Sequence, residues 1–237
     1  MIKSLKRQKC LALLLDPDSY GPDDISHLIK TDKAKSPDFI FVGGSLTSVH
    51  PEELILELKK ITQIPVILFP GNLLQLTDKA DSILLLSVVS GRNPELLIGN
   101  HVLAAPFLKK MTADILPTGY ILISCGVKTS VEYISQTDAI PSGKTDLAVA
   151  TAMAAEMLGL KLIYLEAGSG ADHPVPPDMI RAVRKSVSVP LIVGGGLKSA
   201  IQIRDAYDAG ADLLVLGNGY EDNKSLLEEA INVRNEQ

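Results

Sequence analysis

Carboxylates set beside glycine loops are the residues of this sequence best suited to chemistry. The stretch Tyr164-Leu165-Glu166-Ala167-Gly168-Ser169-Gly170 follows the apolar pair Leu162-Ile163 and reads as a buried strand running into a glycine loop. Side chains alternate along a strand, so Tyr164 and Glu166 project together from its end. The glycines beyond them let backbone amides approach a ligand closely. Two later segments repeat the form: Leu191-Ile192-Val193 runs into Gly194-Gly195-Gly196, and Leu213 to Leu216 runs into Gly217-Asn218-Gly219. Loops of this kind hold an anion on bare amides, without lysine or arginine. The alternative for the triple glycine is a tight strand-to-helix turn.

Glu166 has the sharpest chemical case. A carboxylate that closes a buried strand is costly unless it has a task or a partner. General base is the task it suits, and a salt bridge to Lys198 or Arg181 is the alternative. Asp16-Pro17-Asp18 ends the first apolar run with two hard oxygen donors. Mg²⁺ commonly takes one or two carboxylates plus substrate phosphates, and a helix N-cap explains the same residues equally well. Ser45, after Gly43-Gly44, reads as turn chemistry unless it faces the same site. The four histidines show no ligand spacing. His173 is read as a loop anchor, and Lys128 as a solvated lysine within reach of an anion.

The elements that position these residues alternate along the chain. Apolar runs at Leu11–Leu15, Phe39–Val42, Val66–Phe69, Ile83–Leu86, Tyr120–Ile123, Leu162–Glu166, Leu191–Val193 and Leu213–Leu216 read as strands. Helical patterns separate them, with Ile25, Leu28 and Ile29 on the first, Leu54, Leu58 and Ile61 on the second, and a helix starting near Pro51. The segment after strand three is too short for a full crossover helix. Residues 94–110 read as a helix interrupted at Gly99 and Pro106, 144–158 as a helix, 109–118 as a mobile loop, and the C-terminal segment as a polar helix. Continuous apolar strands suit a parallel sheet covered on both faces. Eight of them fit a closed (β/α)8 TIM barrel, a single domain over residues 1–237, with its active site at the C-terminal strand ends.

Composition narrows the class. The net charge of -5 argues against a nucleic-acid binder, which shows a basic stripe. Two distant cysteines, Cys10 and Cys125, match no zinc spacing and read as buried thiols. The apolar run after the basic N-terminus is too short for a signal peptide or a membrane span, so a cytoplasmic protein is expected.

These motifs, Leu15-Asp16-Pro17-Asp18, Gly43-Gly44-Ser45, residues 164–170, Val193-Gly194-Gly195-Gly196 and Gly217-Asn218, resemble those of the geranylgeranylglyceryl phosphate synthases and their bacterial relatives. The resemblance spans nearly the whole chain in the family's order. It implies a TIM barrel modified after strand three, and prenyl transfer from a polyprenyl diphosphate to the C3 hydroxyl of sn-glycerol 1-phosphate. An ether bond forms and diphosphate leaves. It implies Mg²⁺ at Asp16 and Ser45, and a glycerol-phosphate site of Tyr164, Leu165, Glu166, Ala167, Gly168, Ser169, Gly170, Gly195, Gly196, Gly217 and Asn218. Glu166 is implied as the catalytic base, and a homo-oligomer, dimer or hexamer, is expected. Leu14 stands where some members have a lysine, which suggests the larger, often hexameric branch, and the tryptophan that closes the prenyl groove in some members is absent. The residues alone leave two rivals: a phosphate-binding barrel isomerase or lyase, and a non-catalytic phosphometabolite-binding subunit.

Overall fold

The computed structural model describes residues 1–5, 7–20 and 33–237. The expected first helix, with Ile25, His27, Leu28 and Ile29, lies outside the described residues. The barrel strands are β1 (Cys10–Leu15), β2 (Phe39–Val42), β3 (Val66–Leu68), β4 (Ser82–Val88), β5 (Asp114–Ser124), β7 (Leu162–Glu166), β8 (Leu191–Gly194) and β9 (Leu213–Leu216). Each is parallel to its neighbours, in the order β4-β3-β2-β1-β9-β8-β7-β5, and a β4–β5 pairing closes the ring. A two-residue strand, β6 (Ile140–Pro141), pairs only with the end of β5.

Alternation along each strand divides the apolar residues into two layers. Cys10, Ala12, Phe39, Phe41, Ile67, Leu84, Tyr120, Tyr164, Ile192 and Val215 fill the barrel interior. Leu11, Leu13, Ile40, Val42, Ile83, Ile121, Ile163, Leu165, Val193 and Leu214 face the helices. Both faces are dry, so each strand reads as an unbroken apolar run. The N-terminal helix α1 (Ile2–Leu5) contributes Leu5 to the inner cluster.

The outer layer contains α2 (Pro51–Ile61), α3 (Asn100–Leu108), α4 (Ser130–Ser135), α5 (Thr145–Met157), α6 (Pro177–Ser186), α7 (Ala200–Asp208), α8 (Asn218–Asp222) and α9 (Leu226–Asn235). Pro51 opens α2, as its fixed φ favours. Between β3 and β4 there is only a 3-10 turn, Leu73–Gln75, in place of a crossover helix.

Several sequence expectations change. Residues 109–118 are not loop throughout: Asp114 to Thr118 pair with Ser82 to Leu86 as the first half of β5. The amides of Thr112 and Ala113 donate to Asp78, at 2.6 and 3.1 Å. Pro106 does not break α3 but lies within it. At Gly99 the helix changes pitch instead of stopping, because a π-turn, Glu95–Gly99, leads directly into α3. The last helix is not polar throughout, since Leu226, Leu227, Ala230, Ile231 and Val233 are buried. Helix α4 and strand β6 were not anticipated between strand five and Lys144.

Candidate active site

A cavity of about 660 Å³ opens among the loops that follow the C-terminal strand ends. Asp16 and Ser45 line it from the loops after β1 and β2. Tyr164 and Glu166 line it from β7, and residues 168–170, Gly195, Gly196, Gly217 and Asn218 from the three glycine loops. Leu165 and Ala167 are not among the lining residues. Their side chains pack in the layer between strands and helices, as alternation along β7 requires, and the Ala167 amide is taken by the Gly194 carbonyl at 3.0 Å.

Glu166 is 6% exposed and makes no ion pair among the described residues. Arg181 pairs with Asp178 instead, at 2.6 Å. Three donors surround the carboxylate. The Gly168 amide reaches Oε1 at 2.7 Å, and the phenols of Tyr164 and Tyr120 also donate to it. Burial raises the Glu166 pKa above the usual carboxylate value, and the three hydrogen bonds oppose that rise. The result is a buried carboxyl that holds a proton more tightly than a solvated one, which strengthens it as a base.

Tyr120 was not legible as part of this group. The register pairs it with Tyr164 across β5 and β7. Their rings meet edge to face at 5.1 Å, and Phe69 stacks on Tyr164 at 5.5 Å. These contacts hold both phenols under the carboxylate. Burial, then the Glu166 charge, raises the pKa of each phenol, so both remain donors.

The glycine loops form a cradle that no other residue could build. Gly195 and Gly196 have φ of 81° and 69°, a left-handed conformation that side chains disfavour. A Cβ on Gly195 would strike the Glu166 carboxylate and the Gly168 backbone. The amides of Gly195 and Gly196 have no acceptor among the described residues. Across the cradle, Ser169 Oγ donates to Asn218 Oδ1 at 2.5 Å, joining the loops after β7 and β9. Lys198 lines the same end of the cavity; the sequence suggested it only as a salt-bridge partner. His173 anchors its loop through its backbone, its amide donating to the Cys125 carbonyl at 3.2 Å.

The two aspartates after β1 have different tasks. Asp18 accepts the amides of Ser48 and Val49, both at 2.8 Å, which ties the β1 loop to the β2 loop. Those amides hold its pKa down. Asp16 accepts the Asp18 amide through Oδ1 at 2.9 Å and faces the cavity. Its Oδ2 lies 2.6 Å from where a Cβ on Gly44 would stand, beside Ser45. Burial raises the Asp16 pKa. Glu221, also on the cavity wall, is raised by burial and then by the Asp16 charge. No group of three or more His, Cys, Asp or Glu able to hold a metal occurs among the described residues. One carboxylate and one hydroxyl suit a divalent cation that takes its remaining oxygens from a substrate diphosphate and water.

The far part of the cavity is apolar. Leu84, Leu85, Leu86 and Val88 of β4 line it, with Leu73, Leu76, Phe69, Leu96, Val131 and Ile134. Leu97 and Ile98, which follow Leu96, do not line it. His101 does, bonded to Ser87 at 2.9 Å, and burial lowers its pKa. The short turn after β3 leaves this space open.

The PcrB family matches residues 3–235. A geranylgeranylglyceryl phosphate synthase of Spirosoma linguale is 50% identical over 230 residues, 97% of this chain and 92% of that one. One of Chitinophaga pinensis is 48% identical over 228 residues, 96% and 90% of the two chains. The crystal structure of (S)-3-O-geranylgeranylglyceryl phosphate synthase from Thermoplasma acidophilum, in complex with its substrate sn-glycerol-1-phosphate, superposes with a TM-score of 0.90 at 29% identity. It covers 100% of this chain and 97% of its own. The chain belongs to the PcrB family, the family of these geranylgeranylglyceryl phosphate synthases.

Proposed function

We propose that this chain joins the C3 hydroxyl of sn-glycerol 1-phosphate to C1 of geranylgeranyl diphosphate through an ether bond, a step of ether phospholipid synthesis. The observation that carries the reading is the position of Glu166, a buried carboxylate between an amide cradle and an apolar cavity. The phosphate sits on the amides of Gly195 and Gly196 and on Ser169 and Asn218, with Lys198 also on the cavity wall. The glycerol C3 hydroxyl then points at Glu166. As its oxygen attacks C1, the C1–diphosphate bond breaks, the new C–O bond forms, and the hydroxyl proton passes to the carboxylate. Tyr164 and Tyr120 fix the direction of that carboxylate and spare it the cost of reorienting.

Asp16 and Ser45 would hold Mg²⁺, which supplies neutralisation of the diphosphate where negative charge builds. The prenyl tail lies along Leu84, Leu85, Leu86 and Leu96. At ~0.8 kcal/mol per buried methylene, a groove for roughly 20 carbons supplies much of the donor's affinity. Among the described residues no helix is long and apolar enough to cross a membrane. The same reading makes the chain a single-domain cytoplasmic enzyme that meets membranes transiently and works as a homo-oligomer, dimer or hexamer.

The test is an assay with labelled sn-glycerol 1-phosphate, Mg²⁺ and prenyl diphosphates of several lengths. Transfer is expected with geranylgeranyl diphosphate and is lost in EDTA. Glu166→Gln should keep glycerol-phosphate binding and lower turnover by about 10²-fold or more. Binding of glycerol phosphate with no transfer from any donor would refute the reading in favour of a phosphometabolite-binding subunit.

A further inference from the structure

Gln75 closes the short turn that stands in for a helix after β3. Its side chain is 3% exposed, and both ends of its amide are used. Oε1 accepts the Gly71 amide at 2.8 Å. Nε2 donates to the Gly44 carbonyl at 3.0 Å and to Thr47 Oγ1 at 3.1 Å. The partners fix the orientation of this amide, since an N–H is met only by its oxygen and a carbonyl only by its nitrogen. One buried side chain therefore joins the loop after β3 to the loop after β2, beyond the last rung of the β2–β3 ladder at Val42 and Leu68. Ser45 lies in the chain between the two groups that Nε2 holds. The β2 loop has no helix or strand between Val42 and Pro51, so its shape depends on such ties. Asp18 holds its far end through the Ser48 and Val49 amides. The turn also presses on Ser45 directly: a Cβ on Gly71 would strike the Gly44 carbonyl and stand 3.0 Å from Ser45 Cα.

We infer that Gln75 is a positioning residue for the prenyl-diphosphate half of the site: by holding Gly44 and Thr47 it aims the Ser45 hydroxyl at the cation and diphosphate beside Asp16. The inference rests on the reading of Asp16 and Ser45 as the Mg²⁺ position. Gln75 does not line the cavity, so it acts through Ser45 and touches neither substrate. Mg²⁺ accepts little departure from octahedral geometry, and a ligand carried on a loop meets that demand only when a second set of contacts holds the loop. The acceptor half of the site stands on the loops after β7, β8 and β9, and Gln75 bonds to none of them. Its influence is therefore confined to the donor half. The same turn carries Leu73 and Leu76 into the apolar part of the cavity. The segment that replaces the crossover helix thus does two things for one substrate: it walls the space for the tail and sets the loop that meets the diphosphate.

Calorimetry on the intact chain tests this without turnover. It would measure diphosphate binding in Mg²⁺ and, separately, sn-glycerol 1-phosphate binding, for the parent, Gln75→Met, Thr47→Val, Ser45→Ala and the Gln75→Met/Ser45→Ala double variant. Gln75→Met keeps the length of the side chain and removes its three hydrogen bonds. Thr47→Val removes one acceptor and keeps the methyl beside Gly44, so the test survives if Gln75→Met does not fold. Diphosphate affinity in Mg²⁺ should fall about tenfold or more in Gln75→Met and about threefold in Thr47→Val. Glycerol-phosphate affinity should stay within about twofold in both, a split that general loosening of the fold would not give. With Ser45 already replaced, Gln75→Met should cost much less than it does alone, because the two residues act as one unit. A parent that binds no diphosphate in Mg²⁺, or binds it equally well as Ser45→Ala, would overturn the Mg²⁺ position and this inference with it. Where the parent binds and Ser45→Ala does not, three results would overturn the role of Gln75 alone: unchanged diphosphate affinity in Gln75→Met or Thr47→Val, equal loss of both affinities in Thr47→Val, or full additivity in the double variant.

Discussion

Tyr120→Phe isolates the group that positions the Glu166 carboxylate. The substitution removes one hydroxyl from the barrel interior and leaves the ring with its edge-to-face contacts to Tyr164 and Phe69, at 5.1 and 5.9 Å. Glu166 then keeps the Gly168 amide and the Tyr164 phenol and loses one donor to its charged form. A hydrogen bond to a charged group contributes about 1.5–3 kcal/mol. Losing it favours the protonated carboxyl by about 1–2 pH units, at 1.36 kcal/mol per unit. Water entering from the cavity brings the expected shift to the lower end of that range. The base must be ionised to act, so the direction is fixed: the acid limb of kcat/KM moves to higher pH. The assay is prenyl transfer at subsaturating sn-glycerol 1-phosphate between about pH 5 and 9. Substrate ionisation is common to both proteins and cancels in the comparison. At the alkaline plateau the variant should come within a few-fold of the parent. A limb that stays where it was, moves to lower pH, or gives way to a uniform loss at every pH would refute the role assigned to Tyr120.

Four further outcomes are expected. Gly195→Ala places a methyl against the Glu166 carboxylate and the Gly168 backbone, so glycerol-phosphate binding should fall by at least about 10²-fold in calorimetry; near-normal affinity would remove the cradle. Lys198→Ala should raise KM for glycerol phosphate by roughly tenfold with kcat little changed, as loss of uniform binding does; a fall in kcat alone would contradict it. Burial raises the Asp16 pKa, so Mg²⁺ affinity should weaken as pH falls through that raised value, and Asp16→Asn should weaken it at every pH; titration calorimetry with Mg²⁺ and diphosphate reads both. The folded-state pKa of Glu166 is raised above its unfolded value, so its contribution to stability is present at low pH and is lost as pH rises through the folded pKa. Glu166→Gln should therefore unfold at a higher temperature than the parent at alkaline pH, with the gap closing in acid; a variant less stable at alkaline pH would show that the three hydrogen bonds outweigh burial.

Strand positions and the glycine loops were legible in the sequence because they depend on local order. An apolar run bounded by glycine or proline is a strand end whatever it pairs with, and a period of two sets Tyr164 and Glu166 on one face before any fold exists. The same period turns Leu165 and Ala167 outward, so membership in the motif did not make them part of the cavity wall. The segment before Tyr120 was misread because Pro117 and Gly119 look like strand breakers. Pairing along all of β4 overrides that local signal.

What the sequence determined by itself is a barrel of parallel strands whose later ends carry bare-amide loops and one acid. The tertiary structure decided which groups meet. The β5–β7 register brought Tyr120 to Glu166, though they are far apart in the chain. The contact between the β1 and β2 loops gave Asp18 to the backbone and left Asp16 to the cavity. The missing helix after β3 opened an apolar space beside them. Each of these depends on strand register and ring closure, which no local pattern of residues records, because they are set by packing among segments that meet only when the barrel closes.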